Sequence, residues 1–206
     1  MTNPRPLIIA CGALAGDLRA ALAASGLASQ IEVSYLPAPL HNRPEQIVPA
    51  LRPLLTAAHA ECRPVFVAYA DCGTGGHLDA LLTEFPGVHR LPGAHCYELF
   101  AGAEQFAGLH DEALGTFYLT DFLARHFDAL VWAGLGLDRH PELRDLYFGN
   151  YTRVVLLTQS NDASLPALAE AAAVRLGLSF EHVHTGRDGL AEPLSDFAAL
   201  ALVGRR

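Results

Sequence analysis

Residues 64–70, PVFVAYA, form an uncharged apolar run that passes directly into Asp71-Cys72-Gly73-Thr74-Gly75-Gly76 and then into a Leu-rich stretch beginning at His77. An apolar run this short, rich in Val and aromatic residues, reads as a strand buried on both faces. Such a strand needs neighbours on each side and helices above and below, and the rest of the chain supplies them. Strands are predicted at 7–10, 31–36, 88–91, 129–133, 153–158 and 180–184, and helices at 17–24, 44–60, 77–84, after Cys96 to about 101, 116–126 and 165–176. The alternation predicts an α/β fold: a single domain over residues 1–206, with a mostly parallel sheet and helices on both faces, a Rossmann-like three-layer sandwich. A content of 51% hydrophobic and 17% charged residues over 206 positions is enough to fill one such core.

The formal charge of −8 argues against nucleic acid as a partner, because phosphate neutralisation needs a basic stripe and the 14 basic residues are scattered apart from Arg205-Arg206. The same balance disfavours an anionic membrane surface. The apolar run at residues 7–14 is too short to span a bilayer and lacks the charged start and cleavage site of a secretory signal, so the expectation is a cytoplasmic chain. In that reducing compartment the four cysteines are free thiols, metal ligands or nucleophiles rather than structural disulfides.

The polar residues fall after the predicted strands. Cys11 follows the first, His41 and Asn42 the second, Asp71 and Cys72 the third, His95 and Cys96 the fourth, Asp138 and His140 the fifth, Gln159 and Asn161 the sixth. Parallel strands carry such residues to one rim, where open α/β sheets bind their ligands. Cys11, Cys72 and Cys96 are therefore candidate metal ligands, since zinc and iron–sulfur clusters both take thiolates from separate segments. His41 and His95 are candidates for a fourth ligand or for proton exchange, with Asp71 and Asp138 as further catalytic candidates. The turn Gly73-Thr74-Gly75-Gly76 suits an anion held on backbone N–H groups, and its field is expected to favour the thiolate of Cys72. Asn42, Arg43 and Gln159 complete the substrate-binding candidates, Arg43 as an anion clamp. The turn lacks the Lys-Ser/Thr of a P-loop and the spacing of a dinucleotide fingerprint. Each feature also has a plain structural explanation: a packed thiol, a tight βα turn, or a helix cap at Asn42 or Asp138.

The strings ACGAL, LHNRPE, ADCGTGG, PGAHCYE, GTFYLTDF and GLGLDRHPEL resemble the domain of unknown function 1638 family over roughly residues 7–190. The motif residues carried by the resemblance include Cys11, His41, Asn42, Arg43, Asp71, Cys72, Gly73, Gly75, Gly76, His95, Cys96, Tyr97, Asp121 and Asp138. The resemblance implies a place beside corrinoid-dependent methyltransferase components in one-carbon metabolism, with a corrinoid or a folate as substrate or reached through a partner. It carries no catalytic assignment. Taken with the residues, the expectation is a zinc or iron–sulfur protein, an enzyme or accessory factor acting on a small-molecule substrate. The alternatives are a binding module that docks on corrinoid methyltransferase subunits and a metal-free enzyme with Cys72 or Cys96 as nucleophile.

Overall fold

The computed structural model describes residues 4–202, so Arg205 and Arg206 lie outside the described residues. In chain order the elements are β1 (Leu7–Cys11), α1 (Ala15–Ala24), β2 (Glu32–Leu36), α2 (Ile47–Ala60), β3 (Val65–Ala68), α3 (His77–Leu82), β4 (His89–Arg90), α4 (Cys96–Ala101), α5 (Ala103–Glu112), β5 (Thr116–Thr120), α6 (Asp121–Arg125), α7 (Leu143–Phe148), β6 (Arg153–Thr158), α8 (Leu165–Leu176), β7 (Ser179–His184) and α9 (Ala191–Leu202). The expected α/β class holds, with every strand pairing parallel. The strands are divided, however, between a four-stranded sheet, β2-β1-β3-β4, and a three-stranded sheet, β5-β6-β7. The chain falls correspondingly into two compact units, Met1–Leu99 with Asp188–Arg206, and Phe100–Arg187.

In the first unit β1 and β3 are buried along their whole length, while the edge strand β2 is only partly buried. Their residues follow that difference: LIIAC and VFVA are apolar on both faces, whereas EVSYL mixes charge and hydroxyl with apolar positions. The chain runs from β1 outward to β2 and then returns to β3 on the other side of β1. In open parallel sheets such a reversal, here between the carboxyl ends of β1 and β3, is the place where the crevice that binds ligands forms. Gly12, immediately after β1, is fixed by close approach: a Cβ there would meet the Leu36 carbonyl oxygen at 2.8 Å.

In the second unit β6 (RVVLLT) is buried throughout and paired on both sides. Its Arg153, 9% exposed, donates to Thr116 Oγ1, to the Leu109 carbonyl, and to the carboxylates of Glu112 and Glu181, so the buried guanidinium is neutralised. The helix α8 begins with Pro in its first turn and ends on Gly177 at φ +73°.

Two predicted elements are corrected here. Residues 116–126 form strand β5 followed by the short helix α6, not one helix. Thr-Phe-Tyr-Leu-Thr is rich in β-formers and pairs with β6 from Thr116↔Arg153 to Thr120↔Leu157. Thr120 Oγ1 then accepts from Leu123 N at 3.4 Å, which starts the helix. Residues 129–133 are not a strand but lie in a π-helical turn, Asp128–Trp132, because a short apolar run fits a buried helix as well as a strand. Among the described residues no helix is long and apolar enough to cross a membrane.

Candidate functional site

The site forms where the sheet order of the first unit reverses. Cys11 ends β1 and is 8% exposed. Continuing the β1–β3 register beyond Ala10↔Ala68 sets Tyr69 level with Cys11, and Asp71-Cys72 follows at the same rim. The loop after β4 is tied to this one by backbone bonds, Asp71 N to the Gly93 carbonyl at 3.2 Å and Cys72 N to the Ala94 carbonyl at 2.8 Å. The loop after β2 meets it from the opposite side, since a Cβ on Gly73 would lie 3.4 Å from the Pro44 ring. Segments far apart in sequence are thereby gathered, as parallel strands require.

Cys11, Cys72 and Cys96 interact with one another through their thiols. Burial is the largest influence on all three and pushes each thiol up, Cys72 to about 12 and Cys96 well above its ordinary value. Part of the Cys72 and Cys96 surface stays exposed, but the sulfurs themselves are densely surrounded. The expected thiolate-favouring field at Cys72 is therefore overturned. Burial first, then the neighbouring Cys11 and the Asp71 carboxylate, outweigh the backbone hydrogen bonds that favour the charged form. In this state the three sulfurs are protonated at neutral pH.

Cys72 also holds a backbone conformation unusual for a side-chain-bearing residue, φ +51°. The left-handed region costs an L-residue about 1–2 kcal/mol relative to its ordinary conformations. A glycine would remove that cost, and three follow within four residues. That thiol is held at the crevice in spite of the strain.

The Gly-rich turn has an internal anion. Asp71 accepts from Thr74 Oγ1 at 2.7 Å, Gly75 N at 3.1 Å and Gly76 N at 2.9 Å. Burial pushes this carboxyl up, but the hydrogen bonds from Gly76, Thr74 and Gly75, with the Arg90 charge, leave it below the usual aspartate range. The N–H groups expected to hold a substrate anion thus bind the chain's own carboxylate. Thr74 is buried and oriented by the same contact.

His41 lies in a short 3₁₀ turn, Ala38–Asn42, at the rim. Burial and the neighbouring His95 hold its imidazole below the ordinary histidine range, so it is neutral at pH 7. His95 is exposed and its ring sits 6.0 Å from that of Tyr97. Asn42 and Arg43 are exposed on the adjoining loop. The two remaining candidates belong to the second unit. Asp138 is exposed and pairs with Arg139 at 3.7 Å, and it follows the π-helical turn rather than a strand. Gln159 is 2% exposed, its Nε2 donating to the Leu157 carbonyl and its Oε1 accepting from Asp121 N, so both ends of its amide are engaged. Asp121 answers by accepting from Gln159 N and Ser160 Oγ, which locks the carboxyl ends of β5 and β6 together.

Sequence reasoning missed Tyr69. It is 2% exposed, and among the described residues its hydroxyl makes no well-formed hydrogen bond. It lies close enough to Cys11 and Cys72 to interact with both thiols, and burial with these neighbours keeps the phenol protonated. The available signal was a hydroxyl-bearing aromatic at the end of an otherwise apolar strand.

Among the described residues no group of three or more His, Cys, Asp or Glu side chains stands at separations that would hold a metal ion. The donor types nevertheless suit a thiophilic metal: three thiols near enough to influence one another and two imidazoles. A cavity of about 540 Å³ elsewhere in the unit, bounded by Phe66, His89, Arg90 and the α9 residues Phe197 and Leu200, is lined by none of the cysteines.

No curated protein and no solved structure matches the chain. The family model described as "Protein of unknown function (DUF1638)" matches residues 35–194, a span that takes in His41, Cys72 and Cys96 and begins after Cys11. The chain belongs to the DUF1638 family.

Proposed function

We propose that the crevice between β1 and β3 is a thiolate-ligated metal centre, with Cys11, Cys72 and Cys96 as ligands and His41 or His95 able to complete the shell. What supports this reading is that the thiols on the segments following β1, β3 and β4 lie near enough to influence one another's charge where the sheet order reverses. Neutral His41 supports it as well, because a ligating imidazole must be unprotonated. Among the described residues no group of such side chains stands at metal-holding separations, so ligation requires these side chains to close up and the thiols to lose their protons. A bound zinc ion or iron–sulfur cluster would supply a Lewis acid at the crevice. The chain's own residues bury the centre and leave one face open beside the exposed His95 and Arg43. Methyl-group chemistry is the setting that the family resemblance implies, and a small anionic substrate fits the exposed Arg43 guanidinium.

A metal-free cysteine nucleophile fits less well. Attack needs the thiolate, and burial together with Cys11 holds the Cys72 thiol in its protonated form at neutral pH.

Anaerobic purification, elemental analysis and a visible spectrum test the proposal. Near-stoichiometric zinc, or iron with sulfide and a brown colour, is expected in the unmodified chain and is lost from the double variant carrying Cys72→Ser and Cys96→Ser. If the unmodified chain holds no metal after reconstitution, or if the double variant holds as much as the parent, the reading is wrong.

A further inference from the structure

The cavity of about 540 Å³ between β4 and α9 stands apart from the cysteines, and its walls have a definite chemical character. One face of α9 lines it from Glu192 to Ala201, a rise of about 13 Å along the helix axis. Glu192 and Asp196 stand towards the start of that face, and Phe197, Leu200 and Ala201 follow. Phe66 of β3 supplies an aromatic floor, its ring stacked on that of Phe197 at 5.6 Å between centroids. Leu200, 72% exposed, leaves apolar surface uncovered at the cavity edge. Sites for small molecules are concave and of this size, with mostly apolar walls and a few polar groups that fix orientation.

The charges on the lining select the sign of the ligand. Arg90 is already engaged: it donates to both oxygens of Asp79, at 2.6 and 2.9 Å, and to the Leu91 and Gly93 carbonyls. It has little left to offer an anion. The other basic group on the lining is the exposed His89. Among the described residues Glu192 and Asp196 pair with no cation. The dipole of α9 favours Glu192 in its first turn, but not Asp196 in the second. Like charges four residues apart on a helix repel, and their Cβ atoms lie about 5–6 Å apart, within reach of one shared cation.

We propose that this cavity binds a small organic ammonium ion, its charged end between Glu192 and Asp196 and its apolar body over Phe197 and Leu200. The inference is independent of the metal-centre reading. The test titrates the full chain, labelled with nitrogen-15, with 2-phenylethylammonium, the uncharged 2-phenylethanol and the anionic 3-phenylpropionate, and follows the amide resonances. The double variant Glu192→Gln with Asp196→Asn is titrated alongside. Both side chains are exposed, so its urea midpoint should stay near that of the parent. The expected result is shifts concentrated on residues 87–92 and α9, with the ammonium bound about 10-fold more tightly than the alcohol and the anion weakest. That preference corresponds to two partly exposed ion pairs, and it should vanish in the double variant. Asp196→Asn alone should lose about threefold, and decides by the same criterion if the double variant unfolds. Equal affinity for ammonium and alcohol overturns the inference, as does no ammonium binding up to about 10 mM. A preference that survives both substitutions, or shifts centred elsewhere, also overturns it, because the attraction then belongs to the charge of the whole chain.

Discussion

At the scale of single residues, the informative feature is conflict between local preference and position. Cys72 is a side-chain-bearing residue at φ +51°, next to glycines that adopt such angles without cost. Tyr69 is a hydroxyl without a well-formed partner among apolar residues. Both stand at the reversal between β1 and β3, although the same left-handed backbone recurs at Cys62 away from it. The conflict at Cys72 can be measured. Replacing Cys72 with Gly relieves the left-handed strain, whereas Ala retains it, so the Gly variant should unfold about 1 kcal/mol later than the Ala variant. Both should lose metal. Equal urea midpoints for the two variants would show that the backbone there is not strained.

Among the elements, the turn after β3 shows how a motif can be identified correctly and its role misassigned. The string DCGTGG stands out in the sequence, and its position between strand and helix is as predicted. Its N–H groups, however, are turned onto Asp71, which makes the turn self-capping. The consequence is a pH dependence of definite sign. Because the folded-state value of Asp71 lies below its unfolded value near 3.9, its contribution is fully present above that value and is lost as pH falls through the folded value. Asp71→Asn should lower stability at pH 7 by about 1–3 kcal/mol, and the gap to the parent should close as acid protonates the parent's carboxyl. Urea unfolding at pH 7, 5 and 3 checks this, and a gap that stays constant over the range refutes it. The strands expected at 7–10, 64–70 and 153–158 fall on β1, β3 and β6 because each is an apolar run of strand length ended by a turn. The run at 129–133 was misread because periodicity cannot separate a short buried helix from a buried strand. Asp138 consequently follows a helical turn rather than a strand end, whereas Asp121, which the resemblance alone singles out, is the residue directly after β5.

For the molecule as a whole, the cysteine-bearing unit is built from both ends of the described chain. Helix α9 returns to the first unit, burying Leu194 and Phe197, and Phe197 stacks on Phe66 of β3 with ring centroids 5.6 Å apart. Strand β3, which leads into Tyr69 and Cys72, is therefore supported by residues more than a hundred positions later. Phe197→Ala should destabilise the unit by about 3–5 kcal/mol, a large share of a typical margin of 5–15 kcal/mol, although Phe197 is not one of the cysteine-site residues. Thermal melts of the parent and variant measure the loss. A midpoint within a degree or two of the parent would mean that the stack contributes little.

The sequence alone determined the α/β class, the parallel pairing and the positions of the cysteine loops, because apolar run length, glycine punctuation and helical period are local properties that fold before anything distant is known. It could not determine that the strands divide between two sheets, since pairing partners are chosen by contacts across the chain rather than within a segment. Nor could it decide the charge state of the thiols. Burial and mutual proximity set that state, and both exist only once Cys11, Cys72 and Cys96 have been brought together at the reversal between β1 and β3.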